Sequence, residues 1–105
     1  MDTVVLPKVD HTPAELSDDA KGLLKAADII EREGFYNGTR GSGGQCTLSA
    51  IHKACGDGYN PLGVRLSNVF CKAMGFTVVS EIPVWNDKRT KDEAVAKLRS
   101  VALSI

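Results

Sequence analysis

The sequence predicts a mainly α-helical, compact single domain of about four helices, with a minor extended or β-hairpin element. Apolar residues recur at helical spacing in four stretches, and capping residues or glycines mark the ends of these stretches. The chain has 105 residues, of which 43% are hydrophobic, and this suits one modest core. We therefore divide it into an N-terminal arm, residues 1–11, and a single helical domain, residues 12–105.

The first helix has two candidate start sites. Thr12-Pro13 followed by Glu15 has the pattern of a capping box, whereas Ser17 is a second N-cap candidate. Gly34 is expected to end the helix. Its predicted buried stripe is Leu16, Ala20, Leu23, Leu24, Ala27 and Ile30. Before it, the β-prone residues 3–6 are expected to form either an edge strand or a docked arm.

The stretch from Gly44 to Gly56 is predicted to be the central helix of the core. Its apolar arc is wide, which is typical of a helix buried by its neighbours. The arc consists of Leu48, Ile51, Ala54 and Cys55, with Thr47 and Ala50 at its margins. Gly56 suits the left-handed position after a helix.

Two further helices follow from local signals. Asn60-Pro61 favours a helix start, and Gly75 is expected to close that helix. Its predicted apolar face is Leu62, Leu66, Val69, Phe70 and Ala73. Thr90 and Glu93 form a second capping box, which opens the last helix. The predicted buried side of the last helix is Ala94, Val95, Leu98, Val101 and Ala102.

Two segments are expected to be extended. Asn37-Gly38 is typical of a tight hairpin turn, and the glycines at 41–44 are interpreted as a connector, because the lysine of a phosphate-binding loop is missing. Residues 76–85 are rich in β-branched side chains. Since Pro83 disfavours a central strand, we expect an extended crossing there.

Charge and hydropathy exclude several function classes. Thirteen basic residues balance thirteen acidic ones, so nucleic-acid binding is disfavoured. The basic candidates for such binding are Lys88, Arg89, Lys91 and Arg40, and three of them lie among acidic residues, which is typical of a solvated helix cap. With neither a signal-like leader nor a membrane-spanning run, we expect a cytoplasmic protein that does not bind membranes.

The cysteines are interpreted as packing residues. Cys46, His52, Cys55 and Cys71 supply enough ligands for zinc. On one helix, however, Cys46 and Cys55 would lie on opposite sides, so the four side chains are not expected to converge unless Cys46 precedes the helix and swings round. We expect neither a metal site nor a cofactor.

A thiol site is the main catalytic alternative. Gln45-Cys46 at a helix start is similar to the arrangement in papain-like proteases, where the helix dipole favours a thiolate. The mechanism needs a histidine base, and His52 is six residues along the same helix, so it cannot turn back onto Cys46. That leaves His11. The alternative function is therefore a cysteine-dependent enzyme or a small-ligand-binding domain that uses Cys46 and the glycine-rich loop.

The favoured function is a small non-catalytic protein-interaction module, because no complete catalytic set is found. Trp85, Asn86 and Asp87 are candidates for a surface that contacts a partner, since tryptophan is frequent at binding hot spots. The remaining interaction candidates are Arg89, Tyr36 and Arg40. A structural interpretation stays open, in which Trp85 anchors a turn in the core and Asn86 or Asp87 closes it.

Three motifs resemble those of a small domain family of unknown function from actinobacteria and their phages. They are an Ala-rich helix ending in Gly34-Phe35, a Cys-x-Leu-x-Ala helix at residues 46–50, and Trp85-Asn86-Asp87 followed by Arg89-Thr90. The chain departs from the family pattern at Ser49, where glycine is usual, and at Gln45, where an aromatic residue is common. The resemblance implies a phage or actinobacterial setting and supplies no activity. In that setting, the favoured interaction module is expected to be phage-encoded and to act on a host protein.

Overall fold

The computed structural model describes residues 16–36, 44–56 and 60–105, and these contain five α-helices and no strand. The helices are α1 (Asp18–Glu33), α2 (Thr47–Ala54), α3 (Pro61–Ala73), α4 (Glu81–Asn86) and α5 (Lys91–Ser104). The mainly helical prediction is confirmed, with one helix more than expected. The minor β element is not shown. The N-terminal arm, the helix start at Thr12 and the hairpin at Asn37-Gly38 lie outside the described residues.

Helix α1 begins at the second of its two candidate start sites. Ser17 Oγ accepts a hydrogen bond from the Ala20 amide at 3.1 Å, and so satisfies one of the first-turn donors. Gly34, at φ 99°, ends the helix as predicted. The buried face is wider than the predicted stripe, because it also includes Ala26 and Ile29.

Helix α5 covers much of the apolar face of α1. Its predicted capping box is confirmed: Glu93 N–H donates to Thr90 Oγ1, and Glu93 Oε1 accepts from Thr90 N–H. All five predicted core positions are buried. At the edge of this helix pair, Arg99 donates to both Asp28 and Glu31 of α1, at 3.2 and 3.3 Å.

Helix α2 starts later than predicted and is rotated. It begins at Thr47, with Cys46 as the N-cap residue. Thr47 and Ala50, which were expected at the margins, are fully buried together with Ile51. Leu48, Ala54 and Cys55 are only half-buried. Since small side chains face the core, the neighbouring helices can approach α2 closely.

Helix α3 begins and ends as predicted. Asn60 Oδ1 accepts from the Gly63 amide at 2.9 Å, and Gly75 adopts φ 80°. Leu66 and Phe70 are buried, but the core assignment was wrong for Ala73, which is exposed, and for Leu62, which is 63% exposed.

The extended crossing predicted for residues 76–85 is wrong. Residues 77–80 form a bend followed by a turn, and α4 follows directly. Pro83 is the third residue of α4, where proline is tolerated because a first-turn amide has no intrahelical acceptor. Glu81 Oε2 accepts from the backbone amides of Thr77 and Val78, which fixes the turn before α4.

The chain segments before α2 and after α1 lie side by side. Tyr36 N–H donates to Gln45 O, and Gln45 N–H donates to Gly34 O, both at 3.0 Å, in a single parallel bridge. A Cβ atom at Gly44, which has φ 82°, would overlap the Gly34 carbonyl. This close contact brings Tyr36 to the start of α2.

Candidate functional site

Asn86 is the buried centre of the region around α4. Its side chain is 0% exposed. Asn86 Oδ1 accepts from Thr47 N–H at 2.8 Å and from the Thr47 hydroxyl at 2.6 Å, while Nδ2 donates to the Tyr36 carbonyl at 2.9 Å. The amide thus joins α4, the start of α2 and the segment after α1. Because it is enclosed, Asn86 does not belong to an exposed interaction surface, and that assignment is corrected.

Trp85 is half-buried and packs against the core. Its ring meets Phe70 of α3 edge to face, with centroids 6.1 Å apart and an interplanar angle of 65°. The Arg89 guanidinium carbon lies 5.4 Å from the Trp85 ring centroid, in a cation–π arrangement. The anchoring role predicted for Trp85 is confirmed, and Arg89 is held against the same ring.

Three exposed apolar side chains lie on α4 or next to it. Val84 on α4 is 59% exposed, Val78 in the preceding turn is 51% exposed, and Tyr36 is 39% exposed. We call these three residues, with Trp85 and Arg89, the α4 surface. Asp87 is exposed directly after α4, whereas Arg40 lies outside the described residues.

Sequence reasoning missed Val78 and Val84 as surface residues, because the segment was interpreted as extended. A helical signal was present, since Ile82 and Asn86 are four residues apart and share the buried face of α4. That spacing turns Val84 outward.

The residues of the predicted thiol site have structural contacts of their own. Cys46 is half-buried, and its Sγ accepts from Ser49 N–H at 3.4 Å. Gln45 Nε2 donates to Glu33 Oε1 at 3.2 Å. His11 lies outside the described residues. Within the described residues, the hydrogen-bond partners of the Cys46 thiol and the Gln45 amide include no imidazole.

His52 and the other cysteines are positioned by helix packing. His52 Nε2 lies 3.4 Å from Ser67 Oγ of α3, and the missing side chain at Gly63 leaves room for the imidazole. Cys71 is buried, with Sγ 3.6 Å from Phe76 O. Across residues 16–36, 44–56 and 60–105, there is no cluster of three or more histidine, cysteine or carboxylate side chains suited to a metal ion.

A groove of about 440 Å³ lies between α1, α3 and the end of α2. Its lining residues are Asp18, Asp19, Lys21, Gly22, Lys25, Ala54, Cys55, Leu62, Arg65 and Leu66. A Cβ atom at Gly22 would lie 2.6 Å from Leu66 Cδ2, so glycine allows α1 and α3 to meet at the groove floor. Burial, together with the nearby Asp19 carboxylate, raises the pKa of the Cys55 thiol, while Lys25 opposes this.

One residue of the sequence, Gly22, indicates this groove. Gly22 lies within α1, where glycine lowers the stability of a helix relative to residues with a side chain. A glycine there is explained by the close approach of Leu66.

Among the described residues, no helix is both long enough and apolar enough to span a membrane. Comparison with curated proteins found no match, and no solved structure matches the chain. A family model described as "Family of unknown function (DUF6197)" matches residues 12–103. Because this match covers most of the sequence, the chain belongs to the DUF6197 family of unknown function.

Proposed function

We propose that this chain is a small non-catalytic protein-interaction module that contacts its partner through the α4 surface. The observation that carries the proposal is the exposure of Val84 (59%) and Val78 (51%) beside the half-buried Trp85. Tryptophan and arginine, here Trp85 and Arg89, are enriched at binding hot spots, and the exposed valines add apolar surface that a partner can cover.

The contacts below α4 support this proposal. Helix α4 has only six residues, and isolated helices of that length are unstable in water. Buried Ile82 and the three hydrogen bonds of Asn86 hold α4 in one position on the core. A surface fixed in this way loses little conformational entropy when it binds, which favours recognition of a partner.

The proposal extends to the biological setting. The resemblance to proteins of actinobacteria and their phages supports a phage-encoded protein that acts in the cytoplasm on a host protein. The balanced charge, thirteen basic against thirteen acidic residues, supports a protein partner over nucleic acid.

Affinity capture with matched variants tests the proposal. We would immobilise the wild-type chain and the Val84→Glu variant, and identify captured actinobacterial proteins by mass spectrometry. Val84→Glu places a charge on the most exposed residue of the α4 surface, so we expect the captured partner to be lost. Because Val84 is exposed, the variant is expected to fold, and circular dichroism checks this.

Leu103→Glu is the matched control. Leu103 is 46% exposed and lies near the end of α5, so the same substitution is made at an apolar residue outside the α4 surface. This control is expected to capture the same partner as the wild type. The proposal is overturned if Val84→Glu retains the partner, or if no protein distinguishes the two variants.

A further inference from the structure

We infer that the groove between α1, α2 and α3 is a second binding site, which takes an acidic peptide segment carrying one large apolar side chain. No residue of α4 lines this groove. The inference therefore goes beyond the α4 surface, and it stands whether or not that surface binds a partner.

The floor of the groove is apolar and accessible. Leu62 is 63% exposed at the start of α3, and Leu66, Ala54 and Gly22 continue the apolar lining. A volume of about 440 Å³ falls in the usual size range of ligand-binding pockets. An apolar side chain that entered the groove would remove Leu62 from water, and this contributes favourable free energy.

The charges at the rim favour an acidic occupant. Asp19 is already paired with Arg65, with Arg65 Nη2 3.1 Å from Asp19 Oδ2. Asp18, in the first turn of α1, remains a negative charge in the lining, so the five charged lining residues have a net charge of +1. Lys21 and Lys25 are exposed and lie one helical turn apart on the same wall. Neither lysine forms an ion pair with the described residues.

Cys55 reports directly on occupation of the groove. Its thiol is half-buried at the end of α2, and it contributes to the lining. A peptide in the groove would cover the thiol and block its alkylation. Cys46 lies at the other end of α2, so it serves as an internal reference within the same molecule.

Site-resolved alkylation tests the inference. We would treat the full chain with iodoacetamide, with and without the blocked peptide acetyl-Glu-Glu-Phe-Glu-Glu-amide, and follow each cysteine by peptide mapping. We expect the peptide to protect Cys55 and to leave Cys46 unchanged. Two further peptides distinguish the contribution of charge to binding from that of apolar contact. One has lysine in place of each glutamate, and the other has alanine in place of phenylalanine. Neither is expected to protect Cys55.

Charge reversal provides the matched variants. The double variant Lys21→Glu with Lys25→Glu should lower the affinity for the acidic peptide about tenfold, since two favourable charge contacts become repulsive. The control double variant, Lys72→Glu with Lys97→Glu, makes the same charge change at exposed positions outside the groove. This control should bind the acidic peptide with close to wild-type affinity. Leu62→Glu, at an exposed position, should abolish binding without affecting the fold.

Three results would overturn the inference. The first is unchanged Cys55 alkylation at saturating acidic peptide, and the second is equal protection by the lysine peptide. The third is wild-type affinity in both the lysine double variant and Leu62→Glu. Circular dichroism of each variant establishes that a loss of binding is not a loss of fold.

Discussion

At the scale of single residues, the buried side-chain amide of Asn86 joins segments that are distant in the sequence. The sequence motif Trp85-Asn86-Asp87 favoured a local side-chain turn as one interpretation of Asn86. The partners of Asn86 are instead Thr47 and Tyr36, which lie 39 and 50 positions away in the sequence. No local pattern contains that information, because any exposed turn can also use asparagine.

Replacing Asn86 by alanine should lower the free energy of unfolding by about 3 kcal/mol or more. The substitution leaves the Thr47 amide and hydroxyl and the Tyr36 carbonyl without the amide that they now contact. Urea denaturation followed by circular dichroism measures the change.

Asn68→Ala is the control for this prediction. Asn68 is exposed on α3, where its Nδ2 donates to Val64 O, so its replacement should change stability by no more than about 0.5 kcal/mol. If the two substitutions lowered the free energy of unfolding equally, burial of the Asn86 amide would not explain its contribution to stability.

At the scale of elements, capping residues allowed α3 and α5 to be located from the sequence alone. Their signals are local, since Asn60 and Thr90 each bond to an amide three residues later. Helix α4 was missed because its β-branched neighbours and Pro83 favoured extended structure. Its helical state depends on tertiary contacts of Ile82 and Asn86, which outweigh local propensity in so short a segment.

The N-terminus of α2 gives a prediction about Cys46. A serine hydroxyl is a better cap acceptor than a thiol, so Cys46→Ser should raise the free energy of unfolding by up to about 1 kcal/mol. The Ser49 amide that now contacts Sγ at 3.4 Å would bond to the serine oxygen. Partner capture should be retained, whereas a thiol enzyme would lose activity.

Two measurements check the interpretation of Cys46. The contrast variant Cys71→Ser places a hydroxyl at a buried position, so it should be destabilising. Alkylation of Cys46 should be no faster than that of free cysteine at neutral pH. A much faster reaction, or loss of the partner in a folded Cys46→Ser variant, would support the catalytic alternative instead.

At the scale of the whole molecule, the helical class and most of the core were predictable, whereas the groove and the exposure of Val78 and Val84 were not. Buried positions follow from hydrophobic periodicity, which a single helix displays in its own sequence. The α4 surface and the groove each combine side chains from several segments. Leu62 shows the difficulty, because helical spacing placed it in the core, and only the packing of α1, α2 and α3 leaves it at a groove.

Stability in acid should depend on a contact between α1 and α2. Lys53 Nζ donates to Glu33 Oε1 at 2.8 Å, which lowers the pKa of Glu33 below its ordinary value of 4.5. A carboxylate with a lowered folded-state pKa stabilises the fold above its unfolded-state pKa. This contribution is lost as the pH falls through the folded-state value. Glu33→Gln should therefore be destabilising at pH 7 and nearly neutral well below pH 4.5.

Urea denaturation of the wild type and Glu33→Gln across pH 3–7 measures this dependence. Lys53→Met should weaken the same pH dependence, and adding it to Glu33→Gln should have little further effect on it. If the difference between wild type and Glu33→Gln were the same at every pH, the Lys53 contact would not account for acid sensitivity.

The pairing of α1 with α5 has a consequence for biosynthesis. During translation, the face of α1 that carries Leu23 and Ile30 leaves the ribosome well before Lys91–Ser104. Nascent chains that stop before Lys91 would expose the apolar face of α1 to chaperones and proteases, because α5, which covers this face, has not yet been synthesised. The α1 face therefore stays exposed until α5 has been synthesised and has packed against it.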